Sequence, residues 1–259
     1  MKYVHGLKFD YPSEYDQHMI APKQTRDVKF TTDYPYYNKN FFFRFLQTLM
    51  QILFVIIVFP VNWIRYGTRV INKKVLRKYK KELKDGYVTV CNHVYDWDYL
   101  SVRNVFPFKK GYMLVWKNNH NRSLGKTMRA VGSVPVPDNF DGIIGMTRGV
   151  NDLLQEHKWL HVYPEQAMWY YYQDLRPFKK GTFTFACRND KPVIPLAISF
   201  RPAKGIRKLW KKNYPLTNIS VGEPIFPDHN LDMNSRILKQ RDDAWTSVHN
   251  MIIKYTPEV

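Results

Sequence analysis

The chain contains the stretch Tyr87-Val88-Thr89-Val90-Cys91-Asn92-His93-Val94-Tyr95-Asp96-Trp97-Asp98, in which an apolar run gives way to a polar turn. The β-branched residues at its start predict a strand, and the residues after it predict a turn into a helix that begins near Asp98. A histidine at the strand end can then meet the carboxylate that follows it in the turn. Such a contact would fix the imidazole tautomer and leave the other ring nitrogen free to take a proton from a hydroxyl. His93 and Asp98 are therefore candidate catalytic residues.

Net charge is the most unusual property of the composition. The 259 residues include 40 Lys and Arg against 22 Asp and Glu, which gives a formal charge of +18. Such an excess attracts polyanions, which could be nucleic acid, an anionic membrane surface or phosphorylated substrates. Aromatic residues make up 16% of the chain. Tyr and Trp suit a membrane interface, although they could also stack on bases, so composition alone leaves the partner open.

Little in the sequence points to redox or metal chemistry. The two cysteines, Cys91 and Cys187, lie in apolar surroundings, which excludes a disulfide scaffold and favours a reducing compartment. The sequence has no Cys/His cluster with zinc-site spacing and no Gly-rich phosphate loop. We therefore expect neither a bound metal nor a cofactor. Residues 1–40 also lack the early apolar core of a secretory signal.

Composition divides the chain into three zones. Residues 1–40 are polar and tyrosine-rich, without clear periodicity, and predict an irregular N-terminal arm. Residues 41–84 combine an apolar stretch with a basic run, and predict a membrane anchor. Residues 85–259 alternate short β-branched runs with helical stretches, which predicts an α/β domain with a mostly parallel central sheet covered by helices.

The apolar stretch covers residues 45–64 and carries no charge. As a helix it would measure about 30 Å, close to the thickness of the hydrocarbon core of a bilayer. Gln47, Gln51 and Asn62 are polar, however, and Pro60 should kink or end the helix. A single crossing, a bent segment inserted in one leaflet and a helix buried in the domain therefore remain open.

A basic run directly follows this stretch and favours a membrane surface. Lysines and arginines just beyond an apolar segment mark the cytoplasmic side and bind anionic headgroups. Glu82 is the acidic residue within the run. The basic residues are Arg65, Arg69, Lys73, Lys74, Arg77, Lys78, Lys80, Lys81 and Lys84.

Regular elements are expected throughout the third zone. Strands are predicted at 87–91, 112–116, 133–136, 160–163, 193–199 and 218–221. Helices are predicted at 98–105, 124–130, 143–157, 183–188 and 235–255. One buried helix face is predicted by the spacing of Ile143, Thr147, Val150, Leu153 and Leu154.

The order of motifs along the chain carries more information than any one motif. Downstream of His93 and Asp98 the sequence contains Trp116-Lys117, Gly132-Ser133-Val134-Pro135-Val136, Val162-Tyr163-Pro164-Glu165-Gln166, Arg176-Pro177-Phe178-Lys179-Lys180-Gly181 and Pro192-Val193-Ile194-Pro195-Leu196. In this order the chain resembles the glycerolipid acyltransferases, a family that includes the 1-acyl-glycerol-3-phosphate acyltransferases of phospholipid synthesis. The resemblance covers roughly residues 86–223.

The resemblance implies a role for the first motif. The family's Asn-His-x4-Asp pattern is intact as Asn92, His93 and Asp98. His93 is then the general base for the acceptor hydroxyl, and Asp98 orients it. The arrangement is similar to a Ser-His-Asp triad in which the substrate's own alcohol replaces the serine. Asp96 is nearer to His93 in sequence, but the turn should direct it elsewhere.

Two positions depart from the family pattern. The third motif, Phe-Pro-Glu-Gly-Thr-Arg in the family, keeps its glutamate as Glu165 but has Met168 at the arginine position. The second motif commonly ends in arginine too, and its equivalent here is Pro137 or Asp138. Because a thioether cannot replace a bidentate guanidinium, the usual binding of the acceptor's phosphate is in doubt.

Other cations could take over this role, or the acceptor could lack a phosphomonoester. The substrate-binding candidates are Lys117, Glu165, Arg176, Lys179 and Lys180, of which the first and the last lie where the family often has lysine. The aromatic run of residues 169–172 suits a sugar, an acyl chain or a membrane interface, or simply packs under the sheet edge. Pro195 matches the fourth motif, which implies a place at the floor of the acyl pocket or a structural role.

The sequence therefore predicts an O-acyltransferase at the cytoplasmic face of the plasma membrane. Its donor would be acyl-CoA or acyl carrier protein, and its acceptor a lysophospholipid, with 1-acyl-glycerol-3-phosphate first. A glycolipid or another lysolipid is the alternative acceptor. Two competing hypotheses are a metal-dependent hydrolase with His93, Asp96 and Asp98 as ligands, and a non-catalytic membrane-binding relative. Nucleic acid is not expected as a partner, because it does not explain the uncharged stretch.

Overall fold

The computed structural model describes residues 1–211 and 214–259. Within these residues, seven strands form one sheet in the order β1-β7-β6-β2-β5-β3-β4. The strands are β1 (Arg69–Ile71), β2 (Tyr87–Val90), β3 (Gly111–Trp116), β4 (Ser133–Val136), β5 (Trp159–Val162), β6 (Val193–Arg201) and β7 (Leu216–Val221). Strands β6, β2, β5, β3 and β4 are parallel, whereas β7 pairs with β6 in the antiparallel sense and β1 runs parallel to β7. The predicted α/β class with a mostly parallel sheet is confirmed.

Helices connect the strands and cover the sheet. They are α1 (Phe41–Val61), α2 (Asp98–Val105), α3 (Lys117–His120), α4 (Gly125–Ala130), α5 (Phe140–Gln155), α6 (Gly181–Arg188), α7 (Arg207–Lys211) and α8 (Met233–Tyr255). Strand β1 was not predicted. It is three residues long and two of them are exposed, so the sequence shows a basic run and no apolar strand there. These residues lie inside the segment predicted as an anchor, although they belong to the sheet.

Apolar residues pack on both faces of the sheet. On one face, Val150, Leu153 and Leu154 of α5 pack with Phe183 of α6 and Val248 of α8. On the other face, α2 and the end of α1 pack against the strands. Because both faces are covered, the central strands do not alternate between buried and exposed positions. Strands β2, β5 and β6 are buried along their whole length.

Helix α1 is attached to the domain through polar side chains. The side chain of Gln51 accepts a hydrogen bond from Gly111 N (3.0 Å) and donates one to Gly111 O (2.9 Å). Gln47 donates to Arg129 O (3.1 Å) and accepts from the Tyr112 hydroxyl (2.9 Å). Asn62, just beyond the helix, donates to Leu100 O (2.7 Å). The polar residues that interrupt the apolar stretch therefore face the domain.

The opposite side of α1 is apolar and exposed. Residues 41–66 are the one helical segment in the described chain that is long and apolar enough to cross a membrane. Its most apolar 18-residue stretch has a mean hydropathy of 2.1, and 22% of that stretch is buried. A helix buried in the domain is therefore not observed. The exposed side chains include Phe42, Phe45, Leu46, Leu49, Ile52, Leu53, Ile56, Ile57, Trp63 and Ile64.

The end of α1 follows from Pro60 and Gly67. Two residues after Pro60 the helix widens into a π-helical turn, Asn62–Tyr66. Proline lacks the N–H that would continue the regular pattern of hydrogen bonds, and such widening is a common way to accommodate it. Gly67 then ends the turn with a φ of 56°, a left-handed conformation that glycine adopts without steric cost.

Candidate active site

The candidate site lies where the parallel strands end. His93 follows β2, Glu165 follows β5, Lys117 follows β3 and Asp138 follows β4. Strands β2, β5, β3 and β4 are consecutive neighbours in the sheet. Their carboxyl ends therefore bring these four residues to one edge, which is where ligands bind in open α/β sheets.

Asn92 fixes the loop that carries the histidine. Its side chain donates to Ile198 O (2.9 Å) and accepts from Ile198 N (2.8 Å). Strand β6 pairs directly with β2 only as far as Val90. The buried amide of Asn92 continues this pairing for two more residues, so the following residue leaves the sheet at a defined point.

His93 and Asp98 form the contact that their spacing predicts. Asp98 Oδ2 lies 2.6 Å from His93 Nδ1 and also accepts a hydrogen bond from Val94 N (3.1 Å). The Asp98 side chain is 2% exposed, whereas that of His93 is 22% exposed. The carboxylate is therefore held inside while the imidazole reaches the surface. Because Nδ1 is engaged, proton transfer to a substrate would use Nε2.

The ring of Tyr163 packs against the imidazole of His93. The rings of His93 and Tyr163 are stacked with centroids 4.0 Å apart and planes 10° apart. The edge of Tyr163 in turn meets His161, whose Nδ1 lies 2.8 Å from the Thr89 hydroxyl. Burial, together with the charge of protonated His93, lowers the pKa of His161 to about 3, so this second histidine is a neutral part of the core. The sequence indicated no role for the ring of Tyr163 or of His161.

Glu165 and Arg176 form a buried ion pair. Arg176 Nη2 donates to Glu165 Oε2 (2.7 Å), and both side chains are 1% exposed. The same carboxylate accepts hydrogen bonds from His93 N (2.8 Å) and Arg176 N (2.9 Å). Burial raises the pKa of Glu165, and the guanidinium and the backbone donors oppose that rise. The pair thus attaches the loop after β5 to the backbone of the histidine, whereas the sequence suggested that both side chains meet substrate.

The lysines predicted to bind substrate lie at the surface. Lys117 Nζ is 2.5 Å from Asp138 Oδ2, and Lys179 Nζ is 3.0 Å from Asp16 Oδ2. The hydrogen bond from Lys117 lowers the pKa of Asp138. Lys180 is exposed at the start of α6. Three of the four basic candidates are thus paired with a carboxylate.

Pro195 lies inside β6, where it is buried beside Val90 of β2. Its carbonyl accepts a hydrogen bond from Gly222 N (2.9 Å). The acyl-pocket role implied for Pro195 stays a prediction.

Asp96, the alternative partner of the histidine, is turned away from it. Its Oδ1 accepts a hydrogen bond from the Tyr170 hydroxyl (2.8 Å). Among the described residues, no group of three or more His, Cys, Asp or Glu side chains could hold a metal ion. The geometry thus gives the metal-hydrolase hypothesis no ligand set.

Comparison of the sequence with known protein families identifies the class of protein. A family model described as Acyltransferase matches residues 67–199, about half of the chain. The chain therefore belongs to the acyltransferase family, as the motif order predicted. No curated protein matches it significantly in sequence.

A solved structure shares its fold. The chain is similar to the crystal structure of the 1-acyl-sn-glycerophosphate (LPA) acyltransferase PlsC from Thermotoga maritima, with a TM-score of 0.56 over 86% of this chain and 87% of that one. Sequence identity is 14%, so this likeness concerns the fold alone.

Proposed function

We propose that this acyltransferase moves a fatty acyl chain from a thioester, acyl-CoA or acyl carrier protein, to a lipid hydroxyl, with His93 as general base and Asp98 as its orienting partner. The observation that carries the proposal is the 2.6 Å contact between His93 Nδ1 and Asp98 Oδ2. A buried carboxylate on Nδ1 selects the tautomer whose Nε2 accepts a proton and stabilises the imidazolium that results. Membership of the acyltransferase family supports the same reaction class.

The proposed reaction has two steps. His93 Nε2 takes the proton of the acceptor hydroxyl as its oxygen attacks the thioester carbonyl, and a tetrahedral oxyanion forms. The intermediate collapses as the carbon–sulfur bond breaks, and the thiolate takes the proton from the imidazolium. The products are an ester and a free thiol. No external oxidant, reductant or metal is required for this balance.

A lysophospholipid, first of all 1-acyl-glycerol-3-phosphate, is the acceptor that the motif order favours. Lys117 and Lys180 would then hold its phosphate. One observation favours a second candidate, an acceptor without a phosphomonoester. Lys117, Lys179 and Arg176 are each paired with a carboxylate. Because residues 138 and 168 are not arginine either, little uncompensated positive charge remains to bind the phosphate dianion of an acceptor.

An acceptor panel separates the two candidates. Purified protein would be incubated with a labelled acyl-CoA and equal amounts of lysophosphatidic acid, a lysophosphatidylcholine and a monoglycosyl lipid, and products would be identified by mass spectrometry. We expect lysophosphatidic acid to react fastest. The variant Lys180→Met should raise the KM for this acceptor about 10-fold, as expected for a lost charge-assisted hydrogen bond at an exposed site.

The matched control for this variant is Lys239→Met in α8, where the lysine is bonded to Asp243 and exposed. It should leave the KM unchanged. Faster reaction of the glycosyl lipid, with no effect of Lys180→Met on any acceptor, would select the second candidate.

The apolar face of α1 is proposed to bind one leaflet of an anionic membrane, at the cytoplasmic face of the plasma membrane. Its outward side chains are apolar while its polar ones bond the domain, which is the reverse of a soluble amphipathic helix. The basic residues that follow α1 would meet anionic headgroups. The apolar helix itself is consistent with this association.

Adjacent residues on α1 test this orientation. Ile52 is 54% exposed and Gln51 is 4% exposed. We expect Ile52→Glu to weaken binding to anionic vesicles at least about 10-fold, because it removes apolar contact area and adds a negative charge, and to leave stability nearly unchanged. Gln51→Leu should bind vesicles normally but lose about 2–4 kcal/mol of unfolding free energy, because Gly111 N–H and C=O would be buried without partners.

Vesicle co-sedimentation and chemical denaturation measure the two quantities. Equal vesicle binding by Ile52→Glu and the parent protein would contradict the proposed membrane face.

A further inference from the structure

The N-terminal arm crosses the candidate site. We call residues 11–19 the strap. Its backbone accepts hydrogen bonds from the loop that follows β5: Arg176 Nη1 donates to Tyr15 O (3.1 Å) and Trp169 Nε1 donates to Gln17 O (3.0 Å). Tyr170 N donates to the sulfur of Met19 (3.2 Å). Lys179 pairs with Asp16 at the same place. The strap is thus held at several successive residues beside the motif that contains Glu165.

Aromatic contacts hold the first residue of the strap. The ring of Tyr11 is stacked on Trp169 at 5.4 Å and meets Tyr172 edge-on at 5.1 Å. The Tyr11 hydroxyl donates to Tyr170 O (3.0 Å). The strap therefore packs against the aromatic run of residues 169–172. The sequence associated this run with sugars, acyl chains, a membrane interface or packing under the sheet edge.

His18 is the strap residue that enters the site. Its ring is stacked on Trp116 with centroids 4.0 Å apart and planes 7° apart. Trp116 is the last residue of β3 and directly precedes Lys117. Residues 17 and 19 are bonded to the loop after β5, so the imidazole lies between the ends of β5 and β3. It is half-buried and remains accessible to a ligand.

The electrostatic surroundings agree with this position. Burial, followed by the nearby charges of protonated His93 and Arg176, lowers the pKa of His18. His18 is thus near enough to the proposed base for their charges to interact. A neutral imidazole has one donor and one acceptor nitrogen, and can bond a hydroxyl or a phosphoryl oxygen without adding charge.

We propose that His18 is a specificity-determining residue of the acyl acceptor site, where it and Trp116 form one wall and its imidazole hydrogen-bonds an oxygen of the acceptor headgroup. This inference rests on the proposed function. It gives the strap a purpose that packing alone does not, because Tyr11 and the backbone bonds already hold the segment. It also provides a polar group in a site where residues 138 and 168 do not offer the guanidinium groups usual in the family.

Steady-state kinetics of two variants test the proposal. The protein would be assayed in the same lipid vesicles with the best acceptor from the panel, with acceptor and acyl-CoA varied in turn. We expect His18→Ala to raise the acceptor KM about 3- to 10-fold, as expected for one lost hydrogen bond, while the KM for acyl-CoA stays the same. His18→Gln keeps a side-chain donor and acceptor and should give a smaller increase.

Gln17→Ala is the matched control. It alters the neighbouring exposed side chain and keeps the backbone carbonyl that binds Trp169, so both KM values should match those of the parent protein. Thermal unfolding would be followed for every variant. If His18→Ala unfolds at a much lower temperature, the acceptor KM of His18→Gln is compared with that of the parent protein instead.

Three results would overturn the inference while leaving the proposed function in place. They are an unchanged acceptor KM in both His18 variants, a change confined to the KM for acyl-CoA, and a lower acceptor KM in His18→Ala, which would make the ring an obstruction. If the parent protein transfers no acyl chain, or if His93→Ala remains active, the proposed function fails and the inference fails with it.

Discussion

Replacing His93 by alanine is expected to reduce acyl transfer by at least about 1,000-fold. General base catalysis by a positioned side chain contributes about 100- to 10,000-fold, and loss of a histidine in a triad lies towards the upper end of that range. The imidazole connects the buried Asp98 carboxylate to the surface, because the 2.6 Å bond engages Nδ1 and leaves Nε2 for the acceptor. The rate of product formation at saturating acceptor and acyl-CoA measures the effect.

The design of this experiment must separate chemistry from folding. His93 makes its backbone bond to Glu165 through its own N–H, which alanine retains, so the loop should keep its position. The control is His229→Ala, which alters an exposed histidine paired with Asp190 near the amino end of β6, away from the carboxyl ends of the central strands. We expect the control to be fully active and both variants to bind vesicles. Retention of more than about a tenth of the activity by His93→Ala would refute the proposed mechanism.

The His93–Asp98 contact could be predicted because it is local. Both residues belong to one strand–turn–helix unit, and the end of β2 and the start of α2 fix the short segment between them. The parallel sheet could also be predicted, since short β-branched runs alternate with helical stretches along the chain. The full burial of β2, β5 and β6 agrees with strands that are covered on both faces. These features depend on few residues and on regular geometry.

The attachment of α1 and of the strap could not be predicted in this way. Gln47 and Gln51 interrupt an apolar stretch, and nothing in the stretch tells which distant groups they bond. Their partners are Arg129 O, the Tyr112 hydroxyl and the backbone of Gly111, all more than fifty residues away in the chain. The strap has no periodicity at all, so its position on the aromatic run becomes visible only when the tertiary contacts are known.

Glu165 shows that a motif can identify a residue without fixing where its side chain lies. The motif identifies the residue, but a glutamate next to a catalytic loop can face either the substrate or the interior. Here it binds Arg176 and the His93 N–H inside the protein. We therefore propose that the pair positions the catalytic loop and does not contact substrate.

Glu165→Gln is expected to lower the free energy of unfolding by about 3–5 kcal/mol. Loss of one partner from a buried ion pair leaves the other charge without compensation in a medium of low dielectric constant. Arg176 cannot reach water to relieve this cost, because its side chain is 1% exposed. Chemical denaturation of the purified protein in detergent measures the change. Glu223→Gln, at an exposed glutamate near Lys78, is the control and should change stability little.

The double variant Glu165→Gln/Arg176→Met separates the cost of the unpaired charge from the role of the pair in catalysis. Removing both charges should recover at least half of the lost stability, since an uncharged pair of similar volume leaves no buried ion unpaired. The kinetic constants are compared in Glu165→Gln, because Arg176 also holds the strap through Tyr15 O and is retained in that variant. We expect a reduced kcat with an unchanged acceptor KM, since the Glu165 oxygens bind the backbone of His93 and neither side chain reaches the surface where the acceptor would lie. A large rise in acceptor KM with a normal kcat would instead mean that the pair contacts substrate, as the sequence alone suggested.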